Sequence, residues 1–274
     1  MSLGSLADVH PREPGGRKNQ AEPLAKNAIA SRRRARGDLG VPNPIIVALD
    51  LPSAPEAIDL ARRVAPHVGA FKVGKELFVS AGPDIVRALR ATGASVFLDL
   101  KFHDIPNTVA KAVAAATRLD VQMLTIHTSG GSAMMKAALK AAEETAASMG
   151  RPAPLVLGVT VLTSMDSAAL AELGGETDVG VQVERLARLA AASGLSGLVC
   201  SPLELQRLQP VLPAGMKFVT PGIRTGAEKA DDQKRTLSPR DAIAAGATYL
   251  VVGRPIYAAP DPVAAAQAIA ASVS

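Results

Sequence analysis

Residues 96–108 read Val96-Phe97-Leu98-Asp99-Leu100-Lys101-Phe102-His103-Asp104-Ile105-Pro106-Asn107-Thr108. The first part of this stretch is apolar and partly β-branched, which predicts a strand buried on both faces, as in a parallel sheet. Because side chains alternate along a strand, Phe97, Asp99 and Lys101 should share one face. The stretch therefore places an acid and a base together at the carboxyl end of a buried strand.

Asp104 adds a third charge in the loop that follows, and Pro106 is in the first turn of a predicted helix. An ordinary interpretation exists: Asp99 and Lys101 would form a structural ion pair, and Asp104 would cap the helix. Three alternating charges at the end of one strand favour a functional site instead, because active sites are where such arrangements concentrate.

Short apolar runs that end in a polar residue recur along the chain. The eight runs are Ile45–Asp50, Ala70–Lys75, Ser95–Lys101, Val121–His127, Leu155–Thr160, Gly197–Ser201, Lys217–Thr220 and Thr248–Gly253. Segments with helical spacing lie between them. Eight strand-helix units over about 230 residues predict an α/β fold of the (β/α)₈ (TIM) barrel type, which is typically about 250 residues long. A doubly wound open sheet is the alternative, but Asp50-Leu51-Pro52-Ser53 replaces the Gly-rich turn that this fold needs for a dinucleotide.

The predicted domain organisation is a single barrel domain over residues 44–274 with a disordered, basic N-terminal tail over residues 1–43. The tail holds eight Lys and Arg against four acidic residues, a net charge of +4, which leaves the remaining 231 residues at +1. A nearly neutral body does not indicate nucleic-acid binding. The alternative for the tail is a basic arm that contacts RNA or an acidic partner, but it has no interleaved aromatic residues for base stacking.

One cysteine, Cys200, excludes a disulfide within the chain and fits a reducing compartment. No apolar run approaches the length of a membrane span, and the N-terminus has no signal-peptide hydrophobic region. We therefore expect a cytoplasmic protein that has no membrane partner.

The barrel hypothesis requires functional residues to collect at the carboxyl ends of the strands. Polar residues occur at or after five of the predicted strands: Asp50, Lys72, Asp99, Lys101, His127 and Thr163. Each has an ordinary interpretation as a turn, cap or surface residue, but together with Asp104 they predict two lysines and three acids around one opening. His103 and His127 are predicted to be structural.

The loops after strands 7 and 8 predict a phosphate site. Residues 220–226 read Thr220-Pro221-Gly222-Ile223-Arg224-Thr225-Gly226, and strand 8 ends in Gly253-Arg254-Pro255. Glycine backbone N–H groups together with arginine favour phosphate binding in this position. The alternative is a structural glycine turn with an exposed arginine. The polar segment from Gly222 to Gln233 is long enough to be a mobile lid.

The ordered set of motifs resembles the orotidine 5′-phosphate decarboxylase family from about Ile45 to the C-terminus. The motifs are Val47-Ala48-Leu49-Asp50, Lys72-Val73-Gly74, Asp99-Leu100-Lys101 through Thr108, Leu162-Thr163-Ser164, Pro221-Gly222-Ile223-Arg224, Asp232-Gln233 and Val252-Gly253-Arg254-Pro255. The block from Asp99 to Thr108 is the most specific of them. The tail lies outside the family pattern.

The resemblance implies a homodimer that converts orotidine 5′-phosphate into uridine 5′-phosphate (UMP) and carbon dioxide, with no metal or organic cofactor. It implies that Lys101 protonates C6, that Asp99 lies beside the substrate carboxylate, and that Asp50 and Lys72 hold the ribose. Further roles are implied for residues in the loops: Asp104 and Thr108 would reach the neighbouring subunit's site, Thr163 would contact the pyrimidine, Gln233 would bridge phosphate and base, Arg224 would support binding, and Gly253 and Arg254 would hold the phosphate.

Two rival functions are weighed against this one. A magnesium-dependent decarboxylase or aldolase for phosphorylated sugars has a similar Asp-x-Lys-x-x-Asp motif, but such relatives have a Glu metal ligand where this chain has Lys72. The ammonium groups of Lys72 and Lys101 would repel the metal ion. The second rival is a catalytically silent barrel that senses a phosphorylated ligand.

Overall fold

The computed structural model describes residues 43–225 and 236–273, which belong to one compact unit, Leu39–Ser274. Eight parallel strands close into a barrel in chain order. They are β1 Ile45–Ala48, β2 Ala70–Val73, β3 Ser95–Phe102, β4 Met123–His127, β5 Leu155–Val159, β6 Gly197–Val199, β7 Lys217–Thr220 and β8 Tyr249–Val252. The pairing of Ile46 with Val251 closes β1 onto β8. The predicted (β/α)₈ barrel is confirmed.

Helices follow the strands and cover the outside of the barrel. They are α1 Ala54–Val64, α2 Lys75–Ala81, α3 Asp84–Ala91, α4 Pro106–Arg118, α5 Gly131–Ser148, α6 Ser167–Glu172, α7 Val179–Ala192, α8 Leu205–Leu208, α9 Pro239–Ala244, α10 Arg254–Tyr257 and α11 Pro262–Ser272. Short polar side chains cap several of them. Asp178 accepts the Val181 N–H at 2.9 Å, and Asp261 accepts the Val263 N–H at 2.9 Å, which satisfies donors that a helix start leaves free.

Two apolar clusters hold the barrel together. The larger one packs the outward faces of the strands against the helices, as Val96 and Leu98 do. The smaller one fills the interior of the barrel and includes Phe97, Met123 and Leu157. Alternation along β3 thus separates the two layers as predicted, and it directs the next inward residue of the strand, Asp99, into the open end of the barrel.

Most strands end one or two residues before their predicted ends. β1 ends at Ala48 where the pattern predicted Asp50, and β2 ends at Val73 where it predicted Lys75. The polar residues at these positions lie beyond the last backbone pairing, at the opening of the barrel. Apolar patterning locates a strand, but the end of hydrogen-bonded pairing is set by the neighbouring strands.

The predicted tail over residues 1–43 lies outside the described residues, apart from Asn43. The Asn43 side chain donates to the His67 carbonyl at 2.8 Å and accepts the Ile45 N–H at 2.9 Å, at the start of the first strand. No helix in the described ranges is both long and apolar enough to cross a membrane.

Candidate active site

A cavity of about 460 Å³ opens at the carboxyl ends of the strands. Eight of the predicted site residues line it: Asp50, Lys72, Asp99, Lys101, Thr163, Arg224, Gly253 and Arg254. They come from loops and strand ends that are up to 204 positions apart in the sequence, so only the closed barrel brings them together. The lining combines these charged residues with apolar ones such as Val159, Val161 and Val199.

Asp99 and Lys101 form one charged pair in the cavity wall. The Lys101 Nζ lies 2.8 Å and 2.9 Å from the two carboxylate oxygens of Asp99. Burial alone raises the pKa of Asp99, but the nearby ammonium groups of Lys101 and Lys72, with a hydrogen bond from Thr125, hold that pKa below its ordinary value. Asp99 is therefore a carboxylate at neutral pH, and both of its oxygens accept hydrogen bonds from Lys101.

Asp50 and Lys72 form a second pair beside the first. The Lys72 Nζ donates to Asp50 Oδ1 at 2.9 Å, across the paired ends of β1 and β2. Gly74 permits this approach, because a Cβ there would lie 3.1 Å from the Lys72 Nζ and 3.4 Å from Asp50 Oδ1. Two acids and two lysines therefore alternate in space along the wall of the cavity.

Lys101 has an unusual backbone that the sequence pattern did not predict. Its φ angle is +53°, in the left-handed region that residues with a side chain rarely adopt. The register between β3 and β4 shifts over the same residues, between Leu98 and Phe102. This irregularity departs from the simple strand alternation that was predicted, yet Asp99 and Lys101 both still line the cavity.

The loops after β7 and β8 bring Gly222, Arg224, Gly253 and Arg254 to the cavity. The Arg224 N–H donates to the Leu237 carbonyl at 3.0 Å, and the Leu237 N–H donates to the Gly222 carbonyl at 3.3 Å. These bonds join the start of the segment predicted to be a lid, Gly222 to Gln233, to Leu237, which lies four residues beyond its end. Most of that segment, with Gln233, lies outside the described residues.

Asp104 and Thr108 do not line this cavity. Both are exposed, in the loop after β3 and the first turn of α4. The Asp104 carboxylate accepts the Ile105 N–H at 2.6 Å, and Ile105 itself is 66% exposed. The three residues form an exposed edge at the start of α4.

Several residues near the cavity were not predicted as site residues. Tyr257 lines it from α10, and both burial and the nearby Asp50 carboxylate raise the pKa of its hydroxyl. Cys200 was predicted as a buried core residue; it is 1% exposed, and it also lines the cavity, as do Val199 and Pro221. In the sequence pattern, an apolar or aromatic residue that lines a cavity looks the same as one that is buried in the core. These residues therefore carried no signal in the sequence.

The two histidines that were predicted to be structural are in contact. The rings of His103 and His127 lie 5.3 Å apart, centroid to centroid. Burial, followed by the charges of His103, Lys101 and Lys75, lowers the pKa of His127 to about 4. His127 is therefore neutral at pH 7.

Within residues 43–225 and 236–273, no group of three His, Cys, Asp or Glu side chains is arranged to hold a metal ion. The position where the magnesium-dependent rival would need a carboxylate carries Lys72, which is paired with Asp50. The geometry defines a (β/α)₈ barrel whose site combines an alternating charged array with candidate phosphate-binding loops.

Comparison with known proteins identifies the family. The profile described as "Orotidine 5'-phosphate decarboxylase / HUMPS family" matches residues 43–269, so the chain belongs to that family. It is 51% identical over 230 residues to orotidine 5′-phosphate decarboxylase of Moorella thermoacetica, covering 84% of this chain and 91% of the relative. It is also 51% identical to the enzyme of the same name from Pseudomonas syringae pv. tomato over 231 residues, covering 84% and 97%.

A solved structure agrees with the sequence relatives. The crystal structure of orotidine 5′-phosphate decarboxylase from Lactobacillus acidophilus superimposes with a TM-score of 0.74 at 37% sequence identity. The match covers 85% of this chain and 99% of that one. The shared fold confirms the family resemblance seen in the motifs.

Proposed function

We propose that this chain decarboxylates orotidine 5′-phosphate to UMP and carbon dioxide, as a lyase of pyrimidine biosynthesis. The observation that carries the proposal is the charged array: Asp99 bound through both oxygens to Lys101, with the Asp50–Lys72 pair beside it in one cavity. Family membership and the names of the relatives support the same activity.

The reaction explains why the array is charged. When the bond between C6 and the carboxylate breaks, its electron pair stays on C6, where no adjacent carbonyl delocalises it. Fixed positive charge must therefore stabilise the carbanion, and a proton must be available at once. The Lys101 ammonium supplies both: it transfers a proton to C6 and recovers one from solvent afterwards.

Asp99 has two proposed roles. Its carboxylate holds the Lys101 ammonium in place through two hydrogen bonds. It would also face the substrate carboxylate, so that repulsion falls as carbon dioxide leaves. The first role depends on preorganised electrostatics, and we consider it the larger contribution.

The remaining lining residues suit the rest of the substrate. Arg254 and Arg224, with backbone N–H groups at Gly253, would bind the phosphate, while Asp50 and Lys72 would hold the ribose hydroxyls. Thr163 and the apolar wall that includes Cys200 would contact the pyrimidine. Gln233 is proposed to bridge phosphate and base. Phosphate binding far from C6 would let remote binding energy assist the reaction.

We further propose a homodimer in which each subunit completes the other's site. The support is the position of Asp104 and Thr108, which are exposed beside the apolar Ile105 and do not line their own chain's cavity. The proposal also includes the domain organisation and the location. We propose a barrel domain over residues 44–274, a basic tail over residues 1–43 and a cytoplasmic location. The single cysteine fits the reducing environment of the cytoplasm.

The decisive experiment follows the absorbance of orotidine 5′-phosphate after addition of the purified protein, with and without EDTA. Rapid turnover that EDTA leaves unchanged is the expected result. Loss of activity in EDTA would favour the magnesium-dependent rival. UMP binding without turnover, by a folded protein, would favour the silent barrel and contradict the proposed activity.

A further inference from the structure

Thr125 connects the two central residues of the candidate active site. It is in the middle of β4 and is fully buried. Its hydroxyl donates to Asp99 Oδ1 at 2.9 Å and accepts the backbone N–H of Lys101 at 2.8 Å. A hydroxyl has one proton to donate, so donation to the carboxylate leaves a lone pair that accepts from Lys101.

The location of Thr125 coincides with the irregularity in the sheet. Between the pairs Leu98–Leu124 and Phe102–Ile126, β3 advances four residues while β4 advances two. Thr125 is the one residue of β4 inside this gap. Its hydroxyl thus accepts the Lys101 N–H at the point where the backbone pairing shifts. This bond avoids the free-energy cost of a buried N–H that has no acceptor.

The same residues carry the strained backbone. Lys101 has a φ angle of +53°, which is costly for a residue with a side chain and persists only where surrounding contacts hold it. The hydrogen bond from the Lys101 N–H to Thr125 is such a contact. Thr125 does not line the cavity, so it acts on the substrate only through Asp99 and Lys101.

We infer that Thr125 is a positioning residue for decarboxylation, which holds the Asp99 carboxylate and the Lys101 backbone in the geometry that proton transfer to C6 requires. This inference rests on the proposed function. A threonine in a strand is an ordinary β-former, and neither its spacing nor its neighbours marked it in the sequence.

Several charged or titratable groups besides Thr125 face Asp99 and influence its ionisation. Lys101 faces it from β3, Lys72 from β2, and His127 approaches from the end of β4. Thr125 adds an uncharged hydrogen bond to this set. Removal of the hydroxyl should therefore make the acid form of Asp99 easier to reach, although both lysines remain.

The test compares Thr125→Val, which removes the hydroxyl and keeps the shape, with Thr125→Ser, which keeps the hydroxyl. Thr128→Val is the matched control, because the Thr128 hydroxyl is also fully buried near the end of β4 but donates to the Val159 carbonyl at 2.9 Å, away from Asp99. Steady-state kinetics over pH and thermal unfolding would be measured for each.

We expect kcat of Thr125→Val to fall by about 10- to 100-fold with KM changed by less than about threefold, since small displacements of reacting groups have such effects. The acid limb of the kcat/KM profile should move to higher pH. Thr125→Ser should recover most of kcat, and Thr128→Val should lose stability but keep both kcat and the pH profile. Unchanged kcat and pH profile in Thr125→Val, or equal kinetic losses in Thr128→Val, would overturn the inference.

Two further measurements keep the inference testable. If Thr125→Val does not fold, Thr125→Cys replaces it, because a thiol is similar in size but a weak donor and acceptor. If the unaltered protein shows no turnover, the proposed function has failed, and crystal structures of the variants decide the role of Thr125. Loss of the left-handed Lys101 backbone, or an Asp99–Lys101 separation above about 3.5 Å, in Thr125→Val alone would support positioning; unchanged geometry would refute it.

Discussion

The Lys101 ammonium contacts both carboxylate oxygens of Asp99, at 2.8 Å and 2.9 Å, although the two residues are only two positions apart on one strand. The left-handed backbone of Lys101 accompanies this contact. A pair held through both oxygens has little freedom to reorient. The acid proposed to protonate C6 is therefore held in place by its own chain, which is the condition for preorganised catalysis.

Replacement of Lys101 by alanine should separate binding from chemistry. We expect Lys101→Ala to bind UMP within about tenfold of the unaltered protein, because the phosphate and ribose contacts remain. Decarboxylation should fall by at least about 10⁴-fold, since the change removes both a proton donor and a fixed positive charge. Calorimetric titration with UMP and a single-turnover assay measure the two effects. Substantial residual turnover would refute the assignment of the proton donor.

Arg254 should act mainly on substrate affinity. Arg254→Ala removes a charged hydrogen-bond donor from the proposed phosphate site, and such bonds contribute about 1.5–3 kcal/mol, or about 10- to 160-fold in kcat/KM. Arg254→Lys is the matched control, because it keeps the charge but not the forked geometry, and it should show an intermediate effect. The measurement is kcat/KM for orotidine 5′-phosphate compared with orotidine. If Arg254→Ala lowers kcat/KM by the same factor for orotidine 5′-phosphate and for orotidine, the assignment of Arg254 to the phosphate is wrong.

A shared active site predicts complementation between inactive variants. Asp104→Ala and Lys101→Ala should each be nearly inactive as homodimers. In a mixed dimer, one of the two sites has both an intact Lys101 and an intact Asp104, and the other site has neither. When half of all dimers are mixed, one quarter of all sites are intact, so about a quarter of full activity is expected. Native mass spectrometry verifies that mixed dimers have formed. If they form and no activity returns, Asp104 does not act across the interface.

The low pKa of His127 predicts a pH-dependent stability. In the unfolded chain this histidine takes up a proton near pH 6.5, but in the folded protein only near pH 4. The unfolded state therefore binds more protons between these values, so His127 lowers stability as the pH falls from 6.5 to 4 and has no such effect above that window. Urea unfolding of the unaltered protein and of His127→Gln at several pH values measures the difference.

A direct readout accompanies that experiment. The ring resonances of His127, assigned by their absence in His127→Gln, should titrate near pH 4 in the folded protein. An NMR midpoint near 6.5 would contradict the predicted burial and charge effects. In that case the stability difference between the two proteins should also be independent of pH.

The barrel and the charged residues that line the cavity could be predicted from the sequence, because both depend on local patterns. Eight apolar runs separated by helical spacing specify strand and helix through hydrophobic burial alone. The alternation of Phe97, Asp99 and Lys101 follows from the geometry of a strand. Once the barrel is assumed, its rule that strand ends share one rim places Asp50, Lys72 and Arg254 together.

Tertiary structure decided what local patterns do not encode. The left-handed backbone of Lys101, the register shift between β3 and β4, and the two hydrogen bonds of Thr125 all depend on how one strand meets the next. The low pKa of His127 likewise depends on burial and on charges from other elements. Sequence alone thus determined which charged strand-end residues reach the opening of the barrel. Contacts between distant segments decided how those residues are held there, because hydrogen bonding and electrostatics act through space.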